Sequence, residues 1–289
     1  MFRQILSDSV TVLFQNPKLI RLSFLTLVFY SIVRIYFIVY YFNTFLLYKY
    51  ESWVQLSDAF IYVLDKLNNQ WILRAVIWVI VVLIWYLWFH PIGEASVVSA
   101  LDNPQQSAFR SFVRGSGKFF PMLEYSWLSI PFWVFTFCTV MLRLYLMDIF
   151  DNIFITIIVG IWWFLVLFAS VCWSYARIII ALEGCQVFDA IKKSTSLAMN
   201  NLGLSVKLMF VELLLMLRFI VIGLLIVGIP VLLIYIAVWL DVIQNSFVET
   251  TIRVVAASLL LVIAYLNCIV EAFFLTYWYQ AYRKISPKT

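Results

Sequence analysis

Apolar and polar positions along the chain alternate between two regimes. Over residues 4 to 18, Leu6, Val10 and Leu13 share one stripe of a 3.6-residue period, and Asn16-Pro17 then closes the segment. This is a short surface helix. From Leu19 to Phe42 the chain is almost wholly apolar and long enough to cross a bilayer, which takes roughly 20 residues. The two regimes recur. Gln106 to Lys118 places Arg110, Arg114 and Lys118 at four-residue spacing while Phe109, Phe112 and Val113 face away, and an apolar run follows from Phe119 to Leu146. Val187, Ile191, Ser194 and Ala198 form the stripe of a third surface helix, with Asp189, Lys192 and Lys193 turned outward. An Asn200-Asn201-Leu202-Gly203 elbow then leads into another apolar run.

The remaining crossings follow the same logic. One runs from Trp71 to Phe89 and continues past Pro91 to about Leu101, with a kink at the proline. Another runs from Ile153 to Leu182, and the last, from Val248 to Tyr282, is unusually long. Gly228-Ile229-Pro230 is expected to interrupt the fifth, leaving 231–240 as a broken or re-entrant continuation. Residues 53 to 67 are expected to lie flat on the opposite face, beside the aromatic cluster of Tyr40, Tyr41, Tyr48, Tyr50 and Trp53. The fold class is therefore all-α. The expected architecture is one transmembrane domain, residues 1–289, with six transmembrane helices in three repeated hairpins, each preceded by a cytoplasmic amphipathic surface helix. The repeat units run approximately 1–101, 102–182 and 183–289. They show in letters too: A-S-V-V-S-A-L-D at 95–102 matches A-R-I-I-I-A-L-E at 176–183, residues 108–111 match 190–193, and 11–17 match 195–201.

Composition agrees, with 65% hydrophobic and 12% charged residues and a mean hydropathy of +0.99. A soluble domain has about twice that charged share. The net charge of +5 sits in short clusters between apolar runs, which favours anionic lipid headgroups on the cytoplasmic face and excludes nucleic acid as the natural partner. The cationic stripe that would meet them comprises Arg110, Arg114, Lys118, Lys192 and Lys193. Lysines and arginines also set the orientation. Outer segments hold only Lys49, Lys66, Arg74, Arg143 and Arg253, whereas the inner ones hold Arg3, Lys18, Arg21, Arg110, Arg114, Lys118, Arg177, Lys192, Lys193, Lys207, Arg283, Lys284 and Lys288. Both termini are thus expected in the cytoplasm of a multi-pass protein of the plasma or inner membrane. The start, M-F-R-Q-I-L-S-D-S, does not read as a removable signal peptide, and the four cysteines imply no disulfide framework.

Ionisable side chains inside hydrocarbon are the functional candidates, because each costs ~2.5 to 3.5 kcal/mol on insertion scales. Counted from the inner end of each span at ~1.5 Å per residue, Arg34, Arg218 and Glu271 lie ~18 to 22 Å deep, Glu212 and His90 ~14 Å, and Glu94 and Glu124 ~8 Å. Arg34, Arg218 and Glu271 are expected to meet, either fixing helix register or heading a polar path through Asn267, Glu212 and His90 to Glu94 and Glu124. His90 has no second histidine to share a metal, and Asp148 and Asp151 read as a solvated outer turn. No nucleophile elbow, zinc motif, P-loop or dinucleotide fingerprint occurs, so no catalytic residue, metal or cofactor is expected.

Surface helix, asparagine elbow and crossing, in T-V-L-F-Q-N-P-K-L and A-I-K-K-S-T-S-L-A-M-N-N-L, together resemble the poorly characterised prokaryotic six-helix families grouped around the membrane domain of glycerophosphodiester phosphodiesterases. The resemblance covers nearly the whole chain and implies the six-helix plan. It carries no phosphodiesterase activity, because the soluble domain of some relatives is missing, and it transfers no functional residues. The expected function is non-enzymatic: membrane organisation, lipid interaction or service as a partner subunit, possible partners being another protein or a second copy. The alternative is a small-solute or lipid transporter using Arg34, Arg218, Glu212 and Glu271.

Overall fold

A computed structural model describes residues 2–26, 28, 70–146, 150, 152–239 and 246–286. The expectations for Arg34, the aromatic cluster around Tyr48, the flat helix over 53–67, Asp148 and Asp151 fall outside these residues. Every regular element among the described residues is helical. In chain order they are α1 Phe2–Gln15, α2 over 17–26, α3 Gln70–Asp102, α4 Ala108–Ser116, α5 Phe119–Ser129, a 3-10 turn Ile130–Phe132, α6 Val134–Leu146, α7 Ile153–Cys172, α8 Ala176–Glu183, α9 Val187–Asn200, α10 Leu202–Trp239 and α11 Ser246–Ile285.

Two stretches are long and apolar enough to cross a membrane, Ile153–Glu183 and Leu261–Ile285. Phe119–Phe132 with Thr136–Leu142, bent by 41° at its break, makes a third if taken as one span. Only 17% of the best window in Ile153–Glu183 is buried, and its outer face carries Phe154, Ile158 and Phe164 into the surroundings. A helix that exposes so much apolar surface is matched to a solvent as apolar as itself.

The three short helices have a common construction. Each buries residues four apart: Ile5, Ser9 and Leu13 in α1, Ser111 and Gly115 in α4, and Ala190, Ser194 and Ala198 in α9. At the elbows, Asn16 Nδ2 donates to the Val12 carbonyl at 2.9 Å and Asn201 Nδ2 donates to the Leu197 carbonyl at 3.3 Å. Each amide side chain thus adds a second hydrogen bond to the carbonyl that already accepts its own backbone N–H, closing the last turn of its helix. This equivalence of Asn16 with Asn201 shifts the alignment of letters by one residue, because burial follows the backbone turn and not residue identity. Pro17 then opens α2, where its missing N–H costs nothing.

Each short helix leans on the end of a long one. α4 lies on α3, α9 on α8 and the end of α7, and α1 on α11. The ends of α3, α8 and α11 in turn touch one another. The core sits there, where Tyr175, Tyr277, Trp278 and Tyr279 are buried with Val97, Val98, Ile178, Ile179 and Leu275.

Three expectations about continuity are corrected. Pro230 does not break the fifth span: α10 is helical without interruption from Leu202 to Trp239, since a proline forfeits one backbone bond and apolar flanks can hold the remainder. The breaks fall instead between α5 and α6 and between α7 and α8. At 130–133 Pro131 supplies no N–H and Trp133 is extended (ψ 133°). At 173–175 the reason is a side chain: the Ser194 hydroxyl donates to the Cys172 carbonyl at 2.6 Å and accepts from the Tyr175 N–H at 3.2 Å, replacing the helix ladder. Two other expectations about continuity hold. α3 passes through Pro91, and α11 has the unusual length expected of the last span.

Candidate functional site

Because α7 ends at Cys172, α8 restarts at Ala176 and carries Arg177 in its first turn. Its guanidinium reaches two carboxylates on different helices. Nη1 lies 3.4 Å from Glu94 Oε1 of α3 and Nη2 lies 3.8 Å from Glu212 Oε1 of α10. Side-chain exposures of 20%, 8% and 22% place this trio largely out of solvent. His90, one turn before Glu94, holds Nε2 4.0 Å from the same Oε1. On the far side the Trp278 indole N–H of α11 donates to Glu212 Oε2 at 2.8 Å, and Glu271 of α11 is close enough to interact electrostatically with Arg177 and Glu212. Charges withdrawn from solvent repay their desolvation only when paired and hydrogen-bonded, and Arg177 supplies the pairing for both acids.

The structure therefore gathers His90, Glu94, Glu212 and Glu271, which the sequence places at three different depths, around Arg177. Arg177 is expected from the sequence among the cytoplasmic cations. The signal that marks it is isolation: it is the one charged residue between Asp151 and Glu183, and apolar residues flank it on both sides. Asn267 is half-buried on α11, one turn before Glu271 and so on the same face. Glu124 and Arg218 do not join. Both are exposed on α5 and α10, turned outward by the rotation of their helices. The descending path from Arg218 to Glu124 is thereby corrected: the polar groups converge on one point and do not form a ladder.

Both helix breaks lie beside this cluster, and their freed carbonyls have donors. The Tyr125 hydroxyl donates to the Trp173 carbonyl at 3.1 Å, Trp162 Nε1 to Pro131 at 3.1 Å, and Ser170 Oγ to Phe132 at 3.5 Å. A small groove adjoins His90, with Leu87, Leu123, Trp127 and Trp133 among its walls. Its lining is apolar, so it offers a solute few polar partners. Among the described residues no three His, Cys, Asp or Glu side chains converge in a way that could hold a metal ion.

The cationic stripe is divided. On α4, Ser107 caps the helix by accepting from the Arg110 N–H at 3.3 Å, and the buried face is the small one. A Cβ on Gly115 would stand 2.6 Å from the Ser96 backbone nitrogen, so this helix sits on α3 at the closest distance a backbone allows. Phe109 and Val113 are consequently left outward beside Arg110 and Arg114, while Phe112 is half-buried. Arg114 pairs with Asp102 at 3.8 Å. Lys193 is bound to Glu183, whose carboxylate accepts its hydrogen bond and holds the ammonium above the ordinary lysine range. Lys118 folds back over Gly184, the left-handed residue (φ 67°) that ends α8. Arg110 and Lys192 remain exposed.

Comparison of the chain with protein-family models, characterised proteins and solved structures gives no match.

Proposed function

We propose that the chain is a non-enzymatic integral membrane protein of six crossings, arranged as three hairpins led in by surface helices on the cytoplasmic leaflet of the plasma or inner membrane. Both termini lie in the cytoplasm in this reading. Its role is structural: it organises lipid or serves as a partner subunit, and it shares the six-helix plan of the phosphodiesterase membrane domains without their chemistry. One observation carries the reading. The place where α3, α8 and α11 meet is filled by Trp278, Tyr175 and Tyr277, each at most 1% exposed, and the charges beside it are paired with each other. A group already satisfied internally holds helices in register and leaves little for a passing solute.

The second reading, transport, is favoured by a specific feature: two interrupted spans stand next to a buried charge cluster, as in carriers built on discontinuous helices. Native Cys268 separates the two readings. It is fully buried on α11, three residues before Glu271. In proteoliposomes a small charged methanethiosulfonate should leave Cys268 unmodified from either side. Modification there would mean that water reaches the cluster, and the structural role would give way to transport.

A further inference from the structure

Several of the described cations are already engaged. Arg114, Lys193 and Lys284 pair with Asp102, Glu183 and Asp8, Lys18 donates to the Pro104 and Gln106 carbonyls, and Arg177 is the buried centre. Arg3, Arg110 and Lys192 are exposed and form no ion pair among the described residues. Each surface helix carries one of these three, and each exposes large apolar side chains on the same side of the helix. On α1, Arg3 shares a face with exposed Val10 and Phe14; on α4, Arg110 lies between exposed Phe109 and Val113; on α9, Lys192 lies one turn from Phe188 and two from Met199.

A cation beside an outward phenylalanine on a helix lying along a membrane is the arrangement that meets an anionic leaflet: the ring enters the headgroup boundary while the charge stays with the phosphates. We infer that the three surface helices form a three-point contact for anionic phospholipid, carried by Arg3, Arg110 and Lys192. The paired cations add little, because their field is cancelled by the neighbouring carboxylate. Arg21 and Lys207 stand about one turn inside α2 and α10, beyond the surface helices, and are kept unchanged in the test.

The inference rests on the membrane reading, and the experiment separates the two. The full chain is reconstituted in liposomes, and spin-labelled phosphatidylglycerol and phosphatidylcholine are compared for the fraction immobilised by the protein. Wild type should favour phosphatidylglycerol several-fold. R3Q/R110Q/K192Q should bring the ratio close to one, whereas D102N/R114Q and E183Q/K193Q, which delete a cation together with its anion, should leave it intact. Raising salt from 0.01 to 1 M, which shortens the Debye length from ~30 to ~3 Å, should lower the wild-type preference. A triple variant that keeps the preference, or a pair-deleting variant that loses as much, overturns the inference. Release of the protein from the bilayer by alkaline extraction would instead overturn the membrane reading itself.

Discussion

The end of α3 and the outer run of α7 are both helical and predominantly apolar, yet they are built on opposite terms. Between Ala95 and Leu101 every residue of α3 is buried, two of them serines, and α4 rests directly on that surface. Between Ile153 and Phe168 most of α7 is exposed, and Gly160 has no neighbour within 4 Å of where a Cβ would stand. Specific contact shapes the first region. In the second, composition alone is enough, because lipid tails exert no preference among apolar side chains.

Substitutions can break this comparison, and the largest effect belongs to the buried cluster. Arg177→Met strands Glu94 and Glu212 without a counter-ion and should destabilise the protein by about 3 to 5 kcal/mol, read as thermal unfolding in detergent. Adding Glu94→Gln and Glu212→Gln should recover much of that loss. A single variant that unfolds like wild type would show that the cluster is not closed. Next comes Gly115→Ala, which drives a methyl into the Ser96 backbone and should cost about 1 to 3 kcal/mol. Gly160→Ala, with open space around it, should be neutral or slightly stabilising; equal losses at the two glycines would erase the contrast. Trp278→Phe keeps most of the buried ring but withdraws the N–H from Glu212, and about 1.5 to 3 kcal/mol is expected for a hydrogen bond to a charged group. The smallest effect is kinetic. Burial raises the Cys185 thiol above its ordinary range, so its alkylation by a maleimide at neutral pH should be slower than that of a free thiol and should accelerate as pH rises through that range.

The sequence made the surface helices legible because their stripes are one-dimensional. Val187, Ser194 and Ala198 lie on the buried face of α9 as their spacing predicts, and the helix ends at the Asn200-Asn201 elbow. Pairing across the molecule is not written that way. Nothing local shows that Arg177, rather than Arg34 or Arg218, should answer Glu94 and Glu212, since depth along a span places a residue in height and not in azimuth. The break at 173–175 was hidden for a related reason. It has no proline or glycine, and the hydroxyl that creates it comes from Ser194, about twenty residues later and on another helix. Pro230, conversely, carried a local signal that its context overrides.

The contact of Asp8 with Lys284, at 2.7 Å, joins residues 276 positions apart. At a synthesis rate of ~5 to 20 residues per second, α1 emerges roughly 15 to 55 seconds before the segment it leans on exists. Through that interval the face bearing Ile5 and Leu13 has only the bilayer against which to shelter. The latch between Asp8 and Lys284 therefore closes only once α11 has been made.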